Sequence, residues 1–561
     1  MLDFPINKLN HLQVSNQEKK KSPQKMKLSS STLLLIFSVL VLLVTCATSS
    51  PRNVDDFIQC LSNYSQPSNP IFDAIYTPEN SSFQSVLLSY IRNKRFTTQF
   101  TPKPLAIVTA LHESHVQGTV ICAKNHGLEI RIRSGGHDYE GLSYTSYLNF
   151  VILDLFNLRS ININLADETA WVQAGATVGE LYYRIAEKSK EHGFSAAACL
   201  SVGTGGHFSG GGYGNMMRKY GLTVDNIIDA QIVNVDGIIL DRKSMGEDLF
   251  WAIRGGGGGS FGVILSWKIK LLRVPPIVTV FHANRTLEQG ATDIAYQWQH
   301  VGHKLPEDLF IRVMPQVFNA SQDSQDGKKT VVIAFIGLFL GQTQGLLSLL
   351  NESFPQLGLQ QNECNEMSWV ESTVFWADHP IGTSINVLLE RPKQPVIYYK
   401  GRSDYVKEVI PKEVLESIWK LMIKGGLGWM QWNPYGGRMQ EISESETPFP
   451  HRAGNLFLIQ YGFLWMEDGV NITEHNIDLS QALHDAMTPY VSKSPREAFF
   501  CYRDLDIGAA TDNFTAFQKA QEYGPSYFKG NFERLVRVKT TVDPNNFFRN
   551  EQSIPTLPKY K

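Results

Sequence analysis

Glycine clustering constrains this chain more than any other feature. Ser134-Gly135-Gly136-His137, Gly203-Thr204-Gly205-Gly206-His207 and Gly210-Gly211-Gly212-Tyr213-Gly214 crowd into one stretch, and Gly255 to Gly259 follow. Glycine lets backbone N–H groups approach an anion or a neighbouring strand closely, and it permits turns closed to other residues. Loops of this kind are equally well explained as tight turns. Their flanks add chemistry. His137 directly follows one loop and Cys199 stands just before another, so an imidazole and a thiol flank two loops able to cradle a diphosphate.

Competing motifs fail on context. Gly257 to Gly262 matches GxGxxG, and Gly258-Gly259-Ser260-Phe261-Gly262 matches GxSxG. A dinucleotide fingerprint and a nucleophile elbow both need a strand before the loop and a helix after it. Here 246–253 reads as a short helix and 262–272 as a strand, the reverse order. No GxxxxGK[ST] occurs, so a P-loop lacks its lysine. There is no CxxC pair, and His112, Glu113 and His115 do not form HExxH, so no metal site is expected.

Strands are expected at 128–133 and 150–155, and 230–240 reads as a hairpin with a type I′ turn at Asp236-Gly237. Mixed strands, helices and glycine loops give an α+β class. The expected division is 51–275 as a first domain with its core at 101–275, 276–480 as a second, and 481–561 as a segment able to return to either. With 43% hydrophobic residues the chain is not disordered, and a net charge of −2 gives no case for nucleic acid.

Residues 33–44 are apolar apart from Ser38, follow Lys19 to Lys21, Lys25 and Lys27, and precede Ala47, Thr48, Ser49 and Ser50. That pattern reads as a secretory signal peptide over 1–50, with Met26 as an alternative start and a signal anchor as the rival reading. No later stretch looks able to span a membrane. Asn63, Asn80, Asn284, Asn319, Asn351, Asn471 and Asn513 each open a glycosylation sequon, in keeping with secretion to the apoplast, the extracellular space or the vacuole. Cys46 falls in the signal. Cys60, Cys122, Cys199, Cys364 and Cys501 remain, an odd set that leaves at least one thiol for another use.

Arg131-Ile132-Arg133-Ser134-Gly135-Gly136-His137-Asp138-Tyr139-Glu140-Gly141, the run from Cys199 to Gly214 and Tyr502-Arg503-Asp504-Leu505-Asp506 together resemble the plant berberine bridge enzyme-like flavoproteins. The tail Phe547-Phe548-Arg549-Asn550-Glu551-Gln552-Ser553-Ile554-Pro555 resembles their cannabinoid-synthase-like branch. The resemblance implies an α+β architecture: a vanillyl-alcohol-oxidase/PCMH-type FAD-binding domain, plus a substrate domain with an antiparallel sheet covered by helices. It implies bicovalent FAD, with His137 on the flavin 8α carbon and Cys199 on C6. Ser134, Gly135, Gly136, Asp138, Val202, Gly203, Thr204, Gly205, Gly206, His207, Gly210 and Gly214 would complete the cofactor site. Cys60 and Cys122 resemble the family's disulfide, and Cys364 and Cys501 stay unassigned.

The implied chemistry is oxidation. A base takes a substrate proton as hydride leaves for flavin N5, and dioxygen then reoxidises the flavin to give hydrogen peroxide. Tyr502 matches the base, with Gln460, Tyr139 and Tyr213 in the catalytic set. Val202 matches the position that gates dioxygen, where a small β-branched side chain goes with oxidases.

Four positions depart from the pattern: Leu458 for Lys, Phe499 for Tyr, Cys501 for Asn and Leu200 for Pro. The first three remove a cation and two hydrogen-bonding groups. The expectation is therefore an apolar substrate wall, with Tyr502 protonated and serving better as donor than base. The expected protein is a monomeric secreted FAD-dependent oxidase of a prenylated or other phenolic metabolite, possessed of dioxygen as acceptor and capable of oxidative cyclisation. A flavin-scaffolded Diels–Alderase is the alternative, and a carbohydrate oxidase a weaker one.

Overall fold

The computed structural model describes residues 51–319, 329–391, 397–426, 428–510 and 516–558. The signal segment, Cys46 and Asn513 lie outside them.

Two sheets carry the glycine loops. The first orders Ile75–Tyr76, Ala106–Thr109, Phe150–Asp154 and Glu129–Arg133, with its last three strands parallel. A parallel strand buried on both faces reads as a continuous apolar run, and Phe150–Asp154 is buried at every position. Helix Glu113–Asn125 makes the crossover between Ala106–Thr109 and Glu129–Arg133. It is tied to helix Pro51–Ser62 by a Cys60–Cys122 disulfide.

The second sheet is antiparallel and orders Ile161–Asn164, Thr169–Gln173, Val263–Lys270, Ile227–Val233 and Ile239–Leu240. Its final hairpin corrects the expected type I′ turn. Val233 pairs with Ile239, so five residues intervene. Asn234 Oδ1 organises them by accepting from the N–H groups of Asp236 and Ile238, an Asx-type closure that competes with the two-residue turn. The expected helix at 246–253 begins earlier, at Arg242, and breaks at Gly246 with φ +77°. A strand, Val263–Lys270, follows the glycine run, in the order that disqualified both loop motifs.

Strands between Val278 and Trp465 form a seven-stranded antiparallel sheet ordered Cys364–Met367, Val278–Thr286, Lys329–Phe339, Leu309–Asn319, Gly428–Pro434, Phe457–Trp465 and Tyr398–Val406. Its faces divide by strand alternation. Leu309, Ile311, Val313, Trp432, Ile459 and Tyr461 pack with Trp298, Trp419 and Leu483 of the covering helices. Phe310, Met314, Trp429 and Leu458 face the core of the glycine-loop half.

The C-terminal helices Ala516–Phe528 and Phe532–Val542 join that same core through Ala520, Tyr523, Phe532 and Leu535. Buried Lys539 donates to the carbonyls of Ser260 and Phe548, each at 2.7 Å. Arg131 makes a two-pronged pair with Glu551 at 3.0 Å. The last segment thus completes the first half. Among the described residues no helix is long and apolar enough to cross a membrane.

Candidate active site

A cleft enclosing about 1820 Å³ of empty space, part of it open to solvent, lies between the glycine loops and the seven-stranded sheet. Ser134, Gly135, Gly136, His137, Asp138, Cys199, Val202, Gly203, Gly205, Gly206, His207 and Gly214 line one side. Thr204 and Gly210 are not on the wall. Thr204 donates its hydroxyl to the Gln173 carbonyl, and a Cβ on Gly210 would lie 2.6 Å from Cys501 Sγ.

Backbone makes this side. A Cβ on Gly135 would sit 2.3 Å from the Gly203 nitrogen, so the first two loops meet with no room for a side chain. At Gly206 a Cβ would find nothing within 4 Å, because that residue opens onto the cleft. Bare backbone facing a large cleft, with a thiol and an imidazole on its rim, fits a dinucleotide cofactor.

His137 and Cys199 are drawn together by Ser201. The Ser201 hydroxyl lies 3.0 Å from His137 Nε2 and 3.7 Å from Cys199 Sγ. Burial, with help from the charge of Arg92, holds the His137 pKa well below its usual value, so the ring is neutral. Other expected cofactor residues serve the loops themselves. Ser134 donates to the Ala174 carbonyl at 2.6 Å. Asp138 accepts from the N–H groups of Glu140 and Leu142 and faces Arg503 at 3.3 Å. His207, pushed to about 4 by burial, accepts from the Ala197 N–H at 3.0 Å and so fixes the chain leading into Cys199.

The opposite wall is built from side chains of distant segments. Tyr139 and Tyr502 stack, with centroids 5.7 Å apart and planes 9° from parallel, and Tyr399 meets Tyr139 edge-on at 4.8 Å. Gln460 Nε2 donates to the hydroxyls of Tyr139 at 2.6 Å and Tyr399 at 3.2 Å. Its Oε1 is buried without a partner among the described residues. Tyr502 donates to the Tyr213 hydroxyl at 2.7 Å. That same oxygen accepts from Gln431 Nε2 at 2.7 Å and faces an Arg312 nitrogen at 3.5 Å. Asn433 orients Arg312 by accepting from its Nε at 2.9 Å.

The expected apolar wall is therefore corrected. Leu458 is buried in the core and does not line the cleft, whereas Phe499 does. The missing cation is supplied from another strand by Arg312, only 4% exposed. Burial holds the Tyr502 hydroxyl well above the usual phenol value, Tyr213 and Tyr139 add to that, and Arg312 opposes it. Burial likewise raises Tyr139 and Tyr399. Cys501 also lines the cleft, its thiol pushed up to about 12 by burial and so unreactive.

Sequence reasoning missed Tyr399, Arg312, Gln431 and Asn433. Their one signal is a polar residue at an alternate position of an apolar strand, as in Phe310-Ile311-Arg312-Val313-Met314 and Trp429-Met430-Gln431-Trp432-Asn433. Among the described residues no cluster could hold a metal ion.

Comparison with known proteins agrees with this geometry. Residues 104–242 match the family described as "FAD binding domain", and 498–555 match "Berberine and berberine like". Berberine bridge enzyme-like 4 of Arabidopsis thaliana is 54% identical over 535 residues, 95% of this chain and 99% of that protein. Tetrahydroberberine oxidase of Berberis wilsoniae is 52% identical over 531 residues, 94% of this chain and 98% of its own length. Among solved structures, the grass pollen allergen Phl p 4 is 41% identical with a TM-score of 0.83, over 90% of this chain and all of that one. Its wild type is described as a glucose dehydrogenase and an Ile-to-Val variant as a glucose oxidase. The chain belongs to the berberine bridge enzyme-like family of FAD-linked oxidoreductases.

Proposed function

We propose that this enzyme is a secreted oxidase of a hydroxylated aromatic metabolite, with FAD anchored through His137 and Cys199. The observation that carries this reading is the chain Tyr502–Tyr213–Arg312, set in the same cleft as the neutral imidazole and the thiol. FAD, when bound, accepts hydride from the substrate and returns the electrons to dioxygen as hydrogen peroxide.

Tyr502 takes the substrate proton as its phenolate, having first given up its own. A buried phenol is a poor base by itself, but negative charge arising on Tyr502 is shared with the Tyr213 hydroxyl, on which Gln431 and Arg312 converge. Tyr139, Tyr399, Tyr502 and Phe499 offer aromatic faces to a flat substrate. Gln460 Oε1 awaits a hydroxyl donor. Arg312 restores the cation whose absence had favoured a redox-neutral cyclase. Val202 stands on the cleft wall, where its small side chain leaves dioxygen room to reach the cofactor. The Cys60–Cys122 disulfide supports passage through an oxidising compartment.

A carbohydrate substrate is the second reading. The unpartnered Gln460 carbonyl and the likeness to Phl p 4 favour it.

Anaerobic bleaching of the flavin spectrum with a panel of prenylated phenols and sugars tests the function. Bleaching by phenols, followed by stoichiometric peroxide on admitting air, is the expected result. Rapid bleaching by a free sugar selects the second reading, and product without bleaching removes both. For the anchors, H137A and C199A should each keep flavin after acid precipitation, while the double variant releases it.

A further inference from the structure

Three of the tyrosines around the cleft are chain neighbours of a buried charge. Tyr139 precedes Glu140, Tyr399 precedes Lys400, and Tyr502 stands two residues before Asp504. Behind the rings those charges meet. Lys400 Nζ donates to Glu140 and, at 2.7 Å, to Asp504. Lys400 is 1% exposed and Glu140 4%.

The surrounding groups extend the set. Arg402 donates to Asp504 at 2.7 Å and also pairs with Asp506, which lies 3.1 Å from Lys400. Arg95 faces Glu140 at 3.4 Å, and Arg503 faces Asp138 at 3.3 Å. Tyr527 accepts from the Asp504 N–H. His484, kept neutral by burial with its pKa at about 4, is a further titratable group near Lys400. Four cations (Arg95, Lys400, Arg402, Arg503) thus balance four anions (Asp138, Glu140, Asp504, Asp506). Asn93 ties two of the same segments, donating to the carbonyls of Tyr139 at 3.1 Å and Tyr399 at 2.8 Å.

We propose that Lys400 is a positioning residue: it locks the segments bearing Tyr139, Tyr399 and Tyr502 together and keeps the field at their rings neutral. The proposal rests on the reading that these tyrosines face the substrate. A buried ion pair is a weak device for stability alone, since apolar side chains of like volume serve as well or better. Its distinctive property is a fixed geometry between segments that are far apart in the chain. The segments of Tyr139, Tyr399 and Tyr502 need that, because these tyrosines share one cleft.

Titration of bound p-nitrophenol, a phenol whose ionisation is visible, tests this in the flavin-loaded protein. K400M leaves one anion in excess, so the bound probe's pKa should rise by about one unit, and its affinity should fall by roughly fivefold. K400R should stay near wild type. Adding E140Q to K400M rebalances the charges and should bring the pKa back, which loss of packing alone would not do. A K400M probe pKa equal to that of wild type, at equal flavin content, overturns the proposal. Should K400M not fold, E140Q alone leaves a cation in excess and should lower the probe pKa; no change there overturns it as well. Y502F serves as the separate control. If flavin reduction survives Y502F unaltered, the tyrosine reading fails, while the probe titrations of K400M and E140Q still judge the latch.

Discussion

The two walls of the cleft are made of different materials. On one side, backbone does the work: Gly135 comes from a loop, Gly203 and Gly206 from the cap and first turn of the short helix Thr204–Ser209, and they present no side chains. On the other, Tyr139, Arg312, Tyr399, Gln460 and Tyr502 reach in from five segments and present little else. The first wall is intolerant where its two segments meet, because a Cβ on Gly135 strikes the Gly203 main chain. The second is adjustable, since a side chain can be exchanged without moving a strand. Conserving a cofactor while changing a substrate calls for this division.

The sharpest way to break the comparison is on the backbone side. Gly135→Ala places a Cβ 2.3 Å from the Gly203 nitrogen, and the two loops must part; loss of all bound flavin, read from absorbance of the purified protein, is expected. Gly206→Ala meets no protein atom within 4 Å. It should fold normally by circular dichroism and lose flavin only through direct crowding of the cofactor. Equal folding defects in both variants would erase the distinction.

On the side-chain wall, Arg312→Met should leave the flavin attached and slow its anaerobic reduction by ~10²-fold, the lower range for general-base catalysis. The pH dependence follows from the raised phenol. Tyr502 loses its proton only above the usual phenol range, so the reduction rate should climb with pH across about 6 to 9, and R312M should displace the climb further upward. A flat profile in wild type would place the proton elsewhere.

Smaller effects test finer points. Val202→Leu should slow reoxidation by air without altering reduction, followed by stopped-flow absorbance. Leu458→Met should be nearly silent, with a cost under about 1.5 kcal/mol in thermal unfolding and unchanged kinetics, because the side chain sits in the core. A large kinetic effect would return Leu458 to the substrate wall.

The same asymmetry decided what could be read from the chain. The backbone wall was legible because close approach demands glycine, and the required glycines fall in two compact clusters with His137 and Cys199 beside them. Arg312 was not legible as a partner of Tyr213. Its place follows from strand register across the sheet, where Val313 lies opposite Trp432, and no local pattern encodes that pairing. For the same reason Leu458 looked like a lost cation while Arg312, on another strand, went unseen. The Asp236-Gly237 signal was overridden locally by Asn234, whose carbonyl oxygen closes a longer loop.

The C-terminal segment sets a timetable. Tyr502, Asp504, Lys539 and Glu551 all follow the glycine clusters by hundreds of residues, yet they line or brace the cleft that those clusters begin. A nascent chain holding every glycine cluster still lacks Tyr502 and the second anion, Asp504, that Lys400 pairs with. On the proposed reading, a chain cut short before Tyr502 offers a cradle but no base.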